Sequence, residues 1–138
     1  MAKRKMRTAG CFLEYEGRFV ILHRRSDEPD GNTWGLPAGK VNAAETDEDA
    51  ILREVEEETG YKASKEELEF LEEYIFDFPD LYLEFPTYRI SPKEFPPITC
   101  NPREHTEFKW VTAQECDTIP NLIRGLNDLL RRTGYIKE

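Results

Sequence analysis

Eight carboxylates crowd the fourteen residues from Glu45 to Glu58, namely Glu45, Asp47, Glu48, Asp49, Glu54, Glu56, Glu57 and Glu58, against the single base Arg53. In a helix each residue turns by about 100°. With Glu54 at zero, Glu58 falls near about 40° and Glu57 near about 300°, so three acids share an arc of roughly 100° while Glu56 points elsewhere. Ile51, Val55 and Leu52 fall at about 60°, 100° and 160°. The acidic arc therefore borders an apolar stripe and belongs at the edge of a cleft. Like charges about 6 Å apart repel by roughly 3 kcal/mol per pair at an effective dielectric of about 20, and helical spacings of three and four bring them together. Arg53 alone cannot neutralise them. A hard divalent cation, Mg²⁺ or Mn²⁺, prefers such oxygen ligands. A solvated acidic helix face is the commoner reading of three such carboxylates taken alone, and composition does not settle the matter.

Spacing adds what composition lacks. Gly39 is followed after five residues by Glu45, and after seven more by Arg53-Glu54-Val55-Glu56-Glu57-Glu58-Thr59-Gly60-Tyr61. This stretch resembles the complete Nudix box, with every fixed residue in place. Tyr61 is its one unusual element, standing where an aliphatic residue is more frequent. The box spans 23 residues. Trp34-Gly35-Leu36-Pro37, Trp110-Val111 and the chain length extend the resemblance over most of the sequence.

The resemblance implies an α/β fold, an α/β/α sandwich around a mixed sheet, and hydrolysis of a diphosphate linkage using Mg²⁺ or Mn²⁺. Carried over residue by residue, it makes Glu54, Glu57 and Glu58 metal ligands, joined by the Ala38 carbonyl, with Glu54 or Glu58 mattering most. Arg53 and Glu45 pair to orient the helix against its loop, and Gly60 closes the helix. Gly39, lacking a side chain, lets the loop backbone approach metal or phosphate. A general base on a later loop is expected at Glu104 or Glu107 in NPREHTEFKW, with Glu104 preferred. The implied substrate is a nucleoside triphosphate or related nucleotide, as for a MutT-like pyrophosphohydrolase. ADP-ribose or a nucleotide sugar is the enzymatic alternative, and a noncatalytic nucleotide sensor the alternative of another class, which an undegraded box argues against.

Other residues near the expected cleft carry two readings each. Arg24, Arg25 and Lys40 can grip phosphate or be solvated surface charge. His105 can orient water or stand by in a polar loop, and His23 reads as structural. Phe76, Phe78, Tyr82, Phe85 and Tyr88 can stack a base or fill a core.

These groups need elements to hold them. Thr8 to Tyr15 and Arg18 to His23 read as strands joined by a Glu16-Gly17 turn. From Arg24 to Gly39 the chain has Pro29, Gly31, Gly35, Pro37 and Gly39, which predict a long irregular connection of functional interest. Thr46 with Asp49 three places on, and Gly60 beyond, predict a helix over residues 47 to 59. Leu68 to Phe76, Tyr82 to Ile90 and Glu107 to Val111 read as strands, interrupted by Pro79, Pro86 and Pro96-Pro97. Leu122, Ile123, Leu126, Leu129 and Leu130 recur at helical spacing and should lay one face on the sheet.

The whole chain of 138 residues reads as one domain, residues 1 to 138, large enough for a core without disulfides. Its net charge of −9 argues against a stable nucleic-acid partner or an anionic membrane held by a general basic surface. It leaves room for a small phosphorylated ligand, because a bound cation inverts the local sign. Cys11, Cys100 and Cys116 are odd in number and lack metal-ligand spacing, so they read as reduced thiols. The basic start is too short on apolar residues for a secretory signal, and no run reaches a membrane span. The expected location is cytoplasmic, and a homodimer is the candidate assembly.

Overall fold

The computed structural model of the chain describes residues 3–137; residues 1, 2 and 138 of the expected 1–138 unit lie outside the described residues. Strand β1 (Arg4–Tyr15) turns through Glu16 and Gly17 into β2 (Arg18–Arg24). Both turn residues are left-handed, at φ 49° and 80°, as a two-residue hairpin matched to strand twist demands. The strands then diverge. β1 runs parallel to β6 (Leu81–Ile90) along most of its length, and β6 pairs antiparallel with β5 (Leu68–Asp77). β2 pairs instead with β3 (Trp34–Gly35) and with β7 (His105–Val111). The main path is β3-β2-β1-β6-β5, with β4 (Ala38–Lys40) added antiparallel to β1.

The helix over 47–59 forms as the sequence predicts. In α1 (Asp47–Thr59) the Thr46 side chain accepts from the Asp49 N–H, and Gly60 at φ 79° returns its N–H to the Glu56 carbonyl. Ile51 and Val55 are fully buried against Ala9, Cys11, Leu13 and Val20, which stabilises α1 by roughly 1.5–3 kcal/mol per side chain. The other sheet face, with Phe12, Phe19 and Ile21, is covered by α2 (Ala113–Asp117) and α3 (Leu126–Arg132), which supply Cys116, Leu126, Leu129 and Leu130. Helices on both faces of a mixed sheet give the expected sandwich. Cys11 and Cys116 are buried, Cys100 is half-buried and all three are free thiols.

Three local expectations are corrected. The connection from Arg24 to Gly39 is not wholly irregular: β3 pairs with Leu22 and His23, and β4 with Thr8, Ala9 and Gly10. Both strands are held by distant partners, which local Gly and Pro content cannot show. Pro86 does not end β6. It sits opposite Glu73 of β5, while the ladder to β1 passes from Glu84 to Thr87, so its missing N–H falls in a gap. The C-terminal leucine stripe is helical only from Leu126. Asn121 and Ile123 are captured by the backbone of Trp34, through bonds of 2.9 and 2.8 Å, and Gly125 at φ 93° starts the helix.

Candidate active site

β4 is the wall on which the site is built. Its backbone lies between β1 and α1, and the side of α1 that meets it carries Glu54 and Glu58. These two acids are 9% and 3% exposed, in a chain whose other carboxylates are mostly solvated. Glu58 Oε1 accepts the Ala38 N–H at 3.1 Å. A Cβ on Gly39 would lie 2.0–2.5 Å from the Glu54 carboxylate. Gly39 is therefore the only residue type that lets the strand pass so close to that acid.

Arg53 ties the acids together. Its Nε and Nη2 donate to Glu45 at 2.7 and 2.9 Å, Nη1 donates to Glu54 at 2.6 Å, and Nη2 also reaches the Lys40 carbonyl at 3.1 Å. A weaker contact joins Nη1 to Glu57 at 3.4 Å. Fork geometry of this kind suits guanidinium and not ammonium. The bonds from Arg53 hold the Glu45 carboxyl down to about 2. Glu45 also accepts the Asn42 N–H, so the pair pins helix to loop.

Glu58 behaves in the opposite sense. Burial, then its hydrogen bond to Glu54 and the repulsion of that neighbour, push its carboxyl well above the ordinary carboxylate range. Two buried carboxylates in contact hold a proton unless a cation replaces it. Glu104 is raised too, by partial burial and by the charges of Glu54, Glu28 and Glu57, so its carboxyl feels this cluster. Glu107 lies exposed on β7 opposite His23.

The donor chemistry, all hard oxygen, and the Gly39 cradle fit a divalent cation. The acids do not form a finished cage. Among the described residues no three acidic, histidine or cysteine side chains stand close enough together to hold an ion, and Glu57, the most exposed of the three, is turned toward Arg53.

Glu58 yields a pH prediction. A folded-state value above the unfolded one contributes stability that is complete below the unfolded value and is lost as pH rises through the folded value. In chelator, Glu58→Gln should therefore melt progressively higher than wild type as pH rises from 5 to 8. Scanning calorimetry across that range tests it, and a gap that narrows with pH contradicts the assignment.

In front of β4 opens a cavity of about 440 Å³. Ala38, Gly39 and Lys40 line its near end with Arg24 and His105; Arg4, Arg124 and Asp30 also line it, around an apolar middle. No ion pair among the described residues engages Arg4, Arg24 or Lys40. Among the described residues the Arg24 side chain donates to the Pro29 carbonyl, at 2.7 Å, and to no carboxylate. Arg25 is placed apart, bonded to Asp27 and the Pro102 carbonyl.

His105, which the sequence left between two roles, is 3% exposed with Nδ1 unpartnered, and burial lowers it to about 4. It is a neutral wall of the cavity at pH 7. His23 bonds Thr106 and packs on Trp34. Phe76 and Phe85 line the cavity, Phe78 stacks on Phe76, and Tyr88 belongs to the opposite core layer. Arg4, Asp30 and Arg124 had no sequence signal beyond Arg4, Met6 and Thr8 alternating on one strand face. Tyr61 packs in the α1 layer while its hydroxyl bonds Glu67, which explains an aromatic at that position.

The chain spans about two fifths of the length of a relative such as the putative 8-oxo-dGTP diphosphatase of Bacillus subtilis, which is 41% identical over 61 residues covering 43% of this chain and 39% of that one. The 8-oxo-dGTP diphosphatase of Haemophilus influenzae is 31% identical over 109 residues, 79% of this chain and 76% of that one. Among solved structures, the MutT protein from Methanosarcina mazei superposes with a TM-score of 0.84 at 22% identity, covering 97% of this chain and 96% of that one. The NUDIX domain family matches residues 4–132. With the box residues gathered on one wall and that match across nearly the whole chain, the protein belongs to the NUDIX domain family.

Proposed function

We propose that this chain is a divalent-cation-dependent pyrophosphohydrolase acting on a nucleoside triphosphate or related nucleotide. The observation that carries the reading is the two-sided β4 wall: buried acids behind Ala38–Lys40, and a cavity with uncommitted cations in front. In a chain of net charge −9, three cations along one cavity that have no carboxylate partner among the described residues fit a polyanion.

Glu54, Glu57 and Glu58 would hold Mg²⁺ or Mn²⁺, with Ala38 contributing from the backbone; when bound, the cation clamps diphosphate oxygens and makes water a better nucleophile. The protein's own groups do the rest. Arg24 and Lys40 grip phosphate oxygens at the cavity's near end. Arg53 and Glu45 keep α1 in register with the loop. Glu104, raised by burial and by its acidic neighbours, takes the proton of the attacking water. Substitution in line at phosphorus then releases pyrophosphate or a second phosphorylated product. The H. influenzae and B. subtilis diphosphatases support a nucleoside triphosphate over a nucleotide sugar.

A screen of nucleoside triphosphates, nucleoside diphosphate sugars and ADP-ribose with Mg²⁺ or Mn²⁺, read by pyrophosphate and phosphate release, tests the reading. Metal-dependent pyrophosphate release from triphosphates is expected. Inactivity across the panel with tight nucleotide binding would overturn it in favour of a sensor.

A further inference from the structure

The middle of the cavity has a construction that the hydrolytic reading does not use. Its floor is one sheet face on which Met6 of β1 and Leu81, Leu83 and Phe85 of β6 alternate at strand spacing. Its roof is the stretch from Ile123 to Leu126. Phe85 lies over the backbone of β1 at Gly10: a Cβ there would stand 2.1 Å from Phe85 Cζ and 2.6 Å from Cε2. Gly10 has an ordinary backbone conformation, since it is absent from the positive-φ glycines. The missing side chain therefore serves the ring and not a turn. Phe85 meets Phe76 edge-on at 6.2 Å between ring centres, and Phe76 in turn stacks on Phe78 at 5.9 Å. The ring is thus held at its tip and from one side, and it remains only half-buried and lines the cavity.

The polar groups are as informative. Among the described residues no Asn or Gln side chain lines the cavity. Arg124 is already held by Asp80 through two bonds, at 2.7 and 3.1 Å, and covers Phe78. Asp30 is exposed. Thr8 and His105 are the uncharged polar side chains of the wall. A site that reads the hydrogen-bonding edge of a base rejects wrong bases by about 10⁴–10⁵-fold, whereas an apolar slot discriminates by roughly 10–200-fold.

We infer that Phe85, seated on Gly10, is the base-binding platform of this chain, on which the substrate's base is held by stacking and shape and not by its edge. Gly10 is a positioning residue acting through Phe85. The inference rests on the nucleotide reading above and deepens it: the substrate class is nucleoside triphosphates with little distinction among bases.

The test compares kcat and KM for the purine and pyrimidine nucleoside triphosphates with inorganic tripolyphosphate, which has no base, in wild type, Phe85→Leu and Gly10→Ala. Expected are kcat/KM values within about 100-fold across the bases. Phe85→Leu should raise KM for nucleotides about tenfold with little change in kcat, and leave tripolyphosphate hydrolysis where it was. Gly10→Ala should raise KM more for purines, since the displaced ring narrows the slot. Melting temperatures show whether each variant is folded, and Phe85→Leu keeps the test alive if Gly10→Ala is not. A preference for one base above about 10⁴-fold, or unchanged nucleotide KM in a folded Phe85→Leu, would overturn the inference. Binding of a noncleavable nucleotide analogue, measured calorimetrically in Ca²⁺, separates the two readings. Phe85-dependent binding without turnover by wild type would sink the hydrolase and leave the platform standing.

Discussion

Glu58→Gln and Glu54→Gln should each lower kcat by about 10²–10⁴-fold at saturating Mg²⁺, a loss of the size seen when a positioned acid–base group or a preorganised electrostatic group is removed. The two acids are the buried pair of the helix, and an amide retains nearly the same shape while losing the charge. In Glu58→Gln the amide oxygen can still accept the Ala38 N–H while the NH₂ donates to Glu54, so the packing is kept and only the charge is lost. Glu56→Gln removes the same charge from the same helix at an exposed position, and it should retain wild-type turnover. Steady-state kinetics on the three variants, with circular dichroism to confirm the fold, decides the matter. Full turnover in both buried variants would remove these acids from the mechanism.

Gly39→Ala should separate activity from stability. The added methyl would meet the Glu54 carboxylate at 2.0–2.5 Å, which is the far end of a flexible side chain, so the fold can yield by swinging that acid away. Melting temperature should change by only a few degrees, the scale of about 1 kcal/mol for a domain of this size. Turnover should fall by about 10²-fold or more, since Glu54 leaves both the cluster and its bond from Arg53. A second readout is the Mg²⁺-induced rise in melting temperature, which mass action ties to binding by the native state. That rise should shrink in Gly39→Ala. A variant that keeps both the rise and wild-type turnover would show that close approach of β4 to Glu54 is incidental.

What could be read from the chain followed from local periodicity. The α1 boundaries were legible because Thr46, Asp49 and Gly60 satisfy the ends of one helix with groups a few residues away. The shared arc of Glu54, Glu57 and Glu58, and the clamp of Arg53 on Glu45, are matters of spacing along that same helix and its loop. The hairpin at Glu16-Gly17 was legible for the same reason.

What the sequence determined by itself was thus the set of groups that one short segment can present together, and with the box it determined the family. Tertiary structure alone decided their surroundings. β3 and β4 exist because distant strands complete their hydrogen bonds, Leu122 and Ile123 leave the helix because Trp34 claims the backbone of Asn121 and Ile123 on either side of Leu122, and Pro86 is tolerated where a ladder has a gap. The cavity itself joins β1, β2, β6 and the segment before α3, elements up to about 120 residues apart in the chain. No window of local sequence carries a signal for such a meeting, because hydrogen-bond completion and burial are settled among partners that only folding brings into contact.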